Sequence, residues 1–294
     1  MAASNSLLSN DALSLSVAPL GAEMQYLRNA AGDDYLWNGD AAFWTGRAPV
    51  LFPIVGRAPG DVVAAGEVSA PMAQHGFARR SAFELVGETA TRCHHLLRAS
   101  EETRAVYPFD YALHVIHRLN GNTVHCEARV ENLGQGQMPF GFGFHPAFRW
   151  PLPRAGGESH HVTLAAGGSP DRRLLNDGLL TPTPMAGPFV DGRLEIRDDL
   201  FKDGALVFPD GSDALHYGPD GGPGLSFRFH NLPDLALWKP LRAPFLCIEP
   251  WHGTASCEGD GPQIALRPNS NVLAPGAGMA FGYSVTVEMM PDGQ

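Results

Sequence analysis

Two residues of this sequence combine reactive side chains with apolar, strand-like surroundings. Glu249 ends the apolar run 245–248 and is followed by Pro-Trp-His-Gly, while His145 lies in the aromatic and glycine-rich segment 140–148. A carboxyl group or an imidazole buried in such surroundings must be hydrogen-bonded or used, and its pKa is commonly shifted. The pair suits acid–base chemistry on a sugar ring. Two polar residues satisfied inside a core are the alternative.

Two further segments share the layout of an apolar strand, a polar tip and an adjacent Gly or Pro. Arg57 closes the apolar run 49–56, and His75 and Arg79 lie around the small turn at Gly76. Taken singly, Arg57 is more typical of a structural ion pair, and His75 is equally well explained as a loop histidine. Four separated segments with one layout predict strand ends that converge on a concave site.

The elements that must position these residues are short strands. The chain has 34 Gly and 25 Pro, and these fall between runs of alternating polarity. The clearest hairpin runs from Tyr111 to Glu131 with its turn at 120–122. No helical stripe exceeds about three turns. The pattern predicts an all-β sandwich or barrel in one domain covering 1–294, with surface loops at 151–157 and 176–193. Other predicted strands are 13–17, 24–27, 161–165, 205–208, 225–229, 245–249 and 279–289.

Composition excludes several function classes. The 294 residues carry a formal net charge of -10, which disfavours nucleic acid or an anionic membrane surface as a partner. No apolar run approaches the roughly 20 residues that span a bilayer. The four cysteines form no CxxC pair, and no basic segment precedes an apolar run at the start. We therefore expect a cytoplasmic protein.

Metal and phosphate motifs are weak. The adjacent pairs His94-His95 and His160-His161 point to opposite faces of a strand, as do His114 and His117 at a spacing of three. Neither arrangement chelates a metal by itself. No GxSxG elbow and no glycine-rich phosphate loop followed by a helix occurs. The sequence thus predicts neither a metal nor an organic cofactor.

Four motifs in this order resemble the aldose 1-epimerase (mutarotase) superfamily, and most closely its LacX-like branch. The resemblance runs from about Leu13 to Met289. It implies a single-domain β-supersandwich of galactose-mutarotase type, with the site in a cleft across one large sheet. The motifs are AFWTGRAPVLFPIVGR at 42–57, QHGFAR at 74–79, FGFHPAFRWPLP at 142–153 and CIEPWHG at 247–253.

The resemblance also assigns roles to residues. The family's general base matches Glu249, and its general acid matches His145. Its sugar-hydroxyl contacts match Arg57 and His75, and Arg79 is a further contact.

This chain departs from the branch at three positions. Ser256 replaces the usual aspartate after EPWxG, Arg267 stands for the usual lysine, and Gly204 occurs where a second acidic residue is common. These changes leave the acid–base pair intact and leave the substrate open.

The expected enzyme is an isomerase that interconverts the α and β anomers of a hexose. A base removes the C1 hydroxyl proton and an acid protonates the ring oxygen, which calls for an ionised carboxylate and a protonated imidazole near neutral pH. Trp251 or Phe148 offers an apolar face to the sugar C–H groups. One alternative is a hexose-6-phosphate 1-epimerase in which Arg57 and Arg79 hold the phosphate; another is a non-catalytic carbohydrate-binding protein. A homodimer is compatible with each.

Overall fold

Antiparallel strands form most of the regular structure of residues 4–288, the part of the chain that the computed structural model describes. Helix α1 is short, spanning Glu101–Val106, and 3₁₀ turns lie at Pro59–Asp61, Ala78–Arg80, Asp198–Phe201 and Ile264–Leu266. The strands are β1 Ser6–Ser9, β2 Leu13–Val17, β3 Met24–Asn29, β4 Val50–Leu51, β5 Val62–Ala65, β6 Val68–Pro71, β7 Glu84–Thr89, β8 Arg92–Arg98, β9 Tyr111–Asn120, β10 Thr123–Asn132, β11 Met138–Phe140, β12 Phe142–Phe144, β13 Ala147–Arg149, β14 His160–Leu164, β15 Leu175–Asn176, β16 Leu179–Leu180, β17 Arg193–Glu195, β18 Leu206–Phe208, β19 Ala214–Pro219, β20 Leu225–His230, β21 Asp234–Trp238, β22 Phe245–His252, β23 Asn271–Leu273 and β24 Gly278–Val287.

Two large sheets face one another. The first has nine strands in the order β17-β14-β19-β20-β24-β10-β9-β8-β7. The second follows the path β18-β21-β22-β12-β4, with β13 also paired to β22. A three-stranded sheet, β1-β2-β3, packs beside β8 and β9. The structure confirms the predicted all-β, single-domain sandwich.

The main core lies between the two large sheets. Alternate residues of β22, Leu246 and Ile248, belong to this core and are fully buried. Aromatic pairs join the layers: the rings of Phe142 and Phe281 stack with centroids 4.7 Å apart, and those of Phe144 and Tyr283 meet edge to face at 4.8 Å. Because side chains alternate along a strand, the other residues of β22 project to the opposite face of the six-stranded sheet.

The predicted strands largely match the structure. The hairpin of β9 and β10 has Asn120 paired with Thr123, so Gly121 and Asn122 make the turn within the predicted segment. Strand β22 is longer than predicted, because Pro250 stays in register opposite Leu235 and the strand continues to His252. Strand β24 ends at Val287, and the predicted end at Met289 lies outside the described residues.

Helices have a minor role in this fold. Ser100 begins α1 with a capping box, in which its side chain accepts a hydrogen bond from the Thr103 amide and the Thr103 side chain accepts one from the Ser100 amide. Within residues 4–288, none of the helices has the length and apolar character needed to cross a membrane.

Candidate active site

A cavity of about 430 Å³ opens on the face of the six-stranded sheet that points away from the main core. Its walls come from strands, from the turns after β4 and β6, and from the loops around β15, β16 and β18. It is lined by Trp44, Gly56, Gln74, His75, Arg79, His145, Leu175, Gly178, Leu180, Asp203, Gly204, Ala205, Val207, Trp238, Glu249, Trp251 and Ala255.

Strand register brings the two acid–base candidates together. Gly143 pairs with Trp251 on β22, and Ala147 pairs with Cys247. The positions halfway between these pairs are 145 and 249, so His145 faces Glu249 across the gap between β12 and β13. The Ile248 amide donates to the Pro146 carbonyl at 3.1 Å and anchors this gap. Two residues 104 positions apart in the chain thus share one face of the sheet.

The side chains of His145 and Glu249 are in contact and almost fully buried. Nε2 of His145 lies 3.1 Å from Oε2 of Glu249, and the two residues are 6% and 1% exposed. Burial lowers the pKa of His145 to about 3 and raises the pKa of Glu249 well above its ordinary value. Desolvation therefore favours a neutral carboxyl group beside a neutral imidazole. The sequence predicts an ionised carboxylate beside a protonated imidazole. Both forms contain one proton, which lies on Glu249 in the neutral pair and on His145 in the ionised pair.

Aromatic rings enclose the His145 imidazole. Trp44 stacks on it with ring centroids 4.9 Å apart, and His75 and Trp238 approach edge-on at 5.5 and 5.7 Å. Nδ1 of His145 is buried and has no hydrogen-bond partner among the described residues. The ring is thus oriented by packing, with Nε2 directed at the carboxyl group of Glu249.

Two turns hold His75 at the cavity wall. The His75 amide donates to the Gly56 carbonyl at 2.9 Å, and the Gly56 amide donates to Nδ1 of His75 at 3.0 Å. Accepting this bond requires Nδ1 to be unprotonated, so the proton of the neutral ring resides on Nε2. Burial also lowers the pKa of His75 well below its ordinary value. His75 therefore carries its proton on Nε2, which lies 3.3 Å from the side-chain amide of Gln74.

The two arginines predicted as substrate contacts differ in their surroundings. Arg57 does not line the cavity: its guanidinium bonds both carboxylate oxygens of Asp61 at 2.8 Å and Asp177 at 2.7 Å. Arg79 does line the cavity and donates to the Gln74 carbonyl at 2.8 Å, while its Nε atom is buried without a partner. Arg79 is therefore the cation with unused donor capacity at the site, and a role for Arg57 in substrate binding stays a prediction.

Trp251 forms part of the cavity floor. Its indole lies so close to Gly143 that a Cβ atom there would be 2.5 Å from Cδ1 of the ring. The indole nitrogen is buried and unpartnered among the described residues, and it lies against Gly143. Asp234, paired with Trp251 across the strands, accepts hydrogen bonds from the Gly253 amide and the Asn269 side chain and fixes the end of β22.

Two of the departures from the family pattern contact one another. Nη1 of Arg267 donates to the Ser256 hydroxyl at 2.7 Å, and Nη2 donates to the carbonyls of Val55 and Thr254. Burial lowers the pKa of Arg267 to about 10. Arg267 thus ties the turn after β4 to the segment after β22 and does not line the cavity.

Most of the outer cavity wall was not predicted from the sequence. Leu175, Gly178 and Leu180 come from a segment that overlaps a predicted surface loop, and Asp203 precedes β18. No local signal marks these four residues, because they reach the site only through the fold of long connections. Gly204, one of the departures from the family pattern, lies beside Asp203 in the same wall. Trp44 could have been suspected, since it is an aromatic residue inside the first motif.

One set of metal-ligand types lies within this site. Ligand atoms of His145, Cys247 and Glu249 are all within 4.8 Å of one another. Burial raises the pKa of Cys247 and of Glu249 well above their ordinary values, so both would have to lose a proton in a desolvated site to bind an ion. Exchange of one proton between His145 and Glu249 does not require either residue to release a proton to solvent.

Comparison with known proteins places the whole chain in one group. The family model for aldose 1-epimerase matches residues 5–269. Protein LacX (plasmid) of Lactococcus lactis subsp. lactis is 26% identical over 95% of this chain and 98% of its own length. A galactose mutarotase related enzyme from Lactobacillus acidophilus is 28% identical, with a TM-score of 0.92 and 98% of each chain covered. A galactose mutarotase-like protein from Lactobacillus casei ATCC 334 is 26% identical, with a TM-score of 0.88 over 97% of this chain and 100% of that one. These likenesses confirm the predicted β-supersandwich of galactose-mutarotase type.

Proposed function

Because this chain belongs to the aldose 1-epimerase family, in its LacX-like branch, we propose that it is an isomerase that interconverts the α and β anomers of an unphosphorylated hexose. The observation that carries the proposal is the His145–Glu249 pair, held 3.1 Å apart at the wall of an aromatic-lined cavity. A cavity of about 430 Å³ has room for a single sugar ring.

Ring opening needs two proton transfers. Glu249 as carboxylate takes the proton of the C1 hydroxyl, and His145 as imidazolium gives its Nε2 proton to the ring oxygen as the C1–O bond breaks. C1 becomes an aldehyde, rotation about the C1–C2 bond presents its other face, and the reverse transfers close the ring. No proton is exchanged with solvent over a full cycle.

Desolvation of the pair favours the open-chain stage. The ionised pair starts ring opening, and the neutral pair is what ring opening leaves behind. Burial stabilises that neutral distribution, since it raises the pKa of Glu249 and lowers that of His145. A bound sugar offsets this preference at the start, because its C1 hydroxyl donates to the carboxylate and its ring oxygen accepts from the imidazolium.

Polar side chains around the pair suit sugar hydroxyl groups. His75 and Gln74 line the cavity with their side chains in contact at 3.3 Å, and Arg79 lines it with donor capacity beyond its bond to the Gln74 carbonyl. The rings of Trp44 and Trp238 supply the apolar surface that sugar C–H groups pack against.

Glu249→Gln tests the proposal directly. The substitution keeps the shape of the side chain and removes the base, so we expect anomerisation to slow by at least about a hundredfold while sugar binding is largely kept. Polarimetry, corrected for spontaneous mutarotation, measures the rate. Asp203→Asn is the matched control: it removes the other carboxylate that lines the cavity, and kcat should stay within a few-fold of wild type. Near-normal turnover in Glu249→Gln would exclude Glu249 as the base, and wild-type protein that binds sugar without turnover would favour a carbohydrate-binding protein instead.

A second test concerns phosphorylated substrates. Arg57 is already paired with two carboxylates, and Asp203 adds a carboxylate to the cavity lining, which supports a free sugar as substrate. We expect kcat/KM for glucose and galactose to equal or exceed that for their 6-phosphates, and to depend little on ionic strength. A tenfold preference for a 6-phosphate that shrinks with salt and is lost in Arg79→Ala would instead identify a hexose-6-phosphate 1-epimerase.

A further inference from the structure

Three residues with metal-ligand side chains meet on the inner face of the nine-stranded sheet, away from the cavity. Cys93 and His95 lie two apart on β8 and so share a face, and His117 on β9 is paired directly with Cys93. Their ligand atoms are all within 4.8 Å of one another. We call these three residues the β8–β9 trio.

The trio is closed to solvent and leaves polar atoms unpaired. Cys93, His95 and His117 are 0%, 1% and 3% exposed. Nδ1 of each histidine is buried and has no hydrogen-bond partner among the described residues. Buried polar atoms without partners are rare in native proteins and call for an explanation such as a bound ion.

We propose that the β8–β9 trio binds one thiophilic d¹⁰ metal ion, with Cys93 as thiolate and His95 and His117 as neutral imidazoles. Thiolate together with imidazole selects Cu⁺ or Zn²⁺ over hard cations. Metal–ligand bonds of about 2.0–2.3 Å hold ligand atoms roughly 3.5–4 Å apart, so the trio closes on an ion by small rotations of its side chains. Burial raises the pKa of the Cys93 thiol to about 12, so the metal has to displace this one proton as the bond to sulfur forms, whereas the His145, Cys247 and Glu249 set would have to lose two.

Charge favours Cu⁺ over Zn²⁺ at this position. One thiolate and two neutral rings balance a single positive charge, whereas Zn²⁺ leaves a net positive charge in an apolar environment. Imidazole binds a metal ion as the neutral ring, so the two histidines add no charge of their own. Glu88 and Arg92, at the adjoining strand ends, carry opposite charges and supply no net counter-charge.

The proposed ion is structural. The trio does not line the cavity, and the mechanism above uses none of its members. Because these ligands are inside the sandwich, the ion enters during folding or when the sheet edge formed by β7 opens. A ligand that binds the folded chain alone raises the melting temperature and leaves the chemical step unchanged.

Reconstitution with Cu⁺ tests the site. The full chain is unfolded with a chelator, refolded anaerobically with Cu⁺ supplied as its acetonitrile complex, and desalted; a parallel sample receives Zn²⁺. We expect one Cu⁺ per chain by elemental analysis, a higher melting temperature than the metal-free protein and unchanged kcat. Cys93→Ala should retain less than a tenth of the metal. Cys126→Ala is the matched control, since Cys126 is a fully buried cysteine opposite His117 on β10 but outside the trio, and it should bind as wild type does.

X-ray absorption of the Cu⁺-loaded wild-type protein gives a result independent of folding in the variants. One sulfur and two imidazole scatterers around copper are expected. Failure of the refolded wild type to retain stoichiometric metal would overturn the proposal. So would metal that survives in Cys93→Ala and is lost in Cys247→Ala, because that pattern places the ion at the catalytic pair.

Discussion

Desolvation decides which partner of the proposed catalytic pair, His145 and Glu249, carries the proton. Glu249 and His145 together hold one proton, and burial moves the pKa of each towards its neutral form. A second proton would have to charge His145 beside an already neutral carboxyl group. Loss of the last proton would leave Glu249 ionised in a buried site. Both events are disfavoured near neutral pH, so the singly protonated pair spans a wide range.

This property predicts a broad pH profile. Because burial lowers the pKa of His145, the acid-side decline of kcat/KM should fall well below the ordinary imidazole pKa of about 6.5. Because burial raises the pKa of Glu249, kcat/KM should show no increase centred near pH 4.5, the ordinary pKa of a glutamic acid side chain, on the acid side of the plateau. We expect kcat/KM to be constant between about pH 5.5 and 7.5. Polarimetry at each pH, with the spontaneous rate subtracted, measures it; a decline centred at or above about 6.5 would indicate a solvated imidazole instead.

At the scale of elements, the site depends on the close approach of a turn to a strand. Gly76 has φ +70° and pairs with Phe52, just after β4, so that a Cβ atom at position 76 would lie 2.3 Å from the Phe52 carbonyl oxygen. A backbone atom cannot move aside as the end of a side chain can. The glycine therefore sets the distance between the turn that carries His75 and the strand.

Gly76→Ala should displace His75 and lower both sugar affinity and stability. The left-handed backbone costs about 1–2 kcal/mol for alanine, and the clash adds about 1–3 kcal/mol. Gly66→Ala is the matched control, because Gly66 has φ +61° with nothing within 4 Å of its added Cβ. We expect only the backbone cost there, with kcat/KM unchanged. Denaturant melts and kinetics on both variants measure the difference, and equal effects would show that the contact with Phe52 is unimportant.

At the scale of the whole molecule, the sandwich buries histidines in neutral form. Burial lowers the pKa of His75 well below its ordinary value and that of His117 to about 3. Each takes up a proton on unfolding once the pH falls below the ordinary value of about 6.5, while the folded chain does not. The free energy of unfolding therefore decreases as pH falls from 6.5 towards the folded pKa. The catalytic pair contributes little, since it holds about one proton in either state near pH 5.5.

We predict that stability falls on acidification by up to about 1.4 kcal/mol per pH unit for each such histidine. In His75→Gln, the slope of unfolding free energy against pH between pH 6.5 and 5 should be smaller by up to about one proton. Denaturant unfolding of metal-free protein across this range is the measurement. An identical slope in wild type and His75→Gln would mean that His75 is already charged in the folded state.

The expected homodimer and cytoplasmic location stay predictions.

Local pattern was enough to predict much of this protein. Period-two alternation and glycine–proline punctuation predicted the strands, because one face of each strand must be buried. The motifs around Glu249 and His145 predicted the family, and the acid–base roles that they assign to the two residues stay a prediction. These signals lie within short segments of chain, where the chemistry of a residue and its neighbours suffices.

Tertiary structure alone decided which separated residues meet. The pairing of β22 with β12 and β13 set His145 against Glu249, and two carboxylates far apart in the chain occupy Arg57. Adjacent histidines of one strand point to opposite faces, yet the register of β8 and β9 joined Cys93, His95 and His117. Contacts between strands depend on register and sheet order, and burial sets the pKa values that follow. No short stretch of sequence encodes the register of the strands or the burial of a side chain, because both come from packing the whole chain.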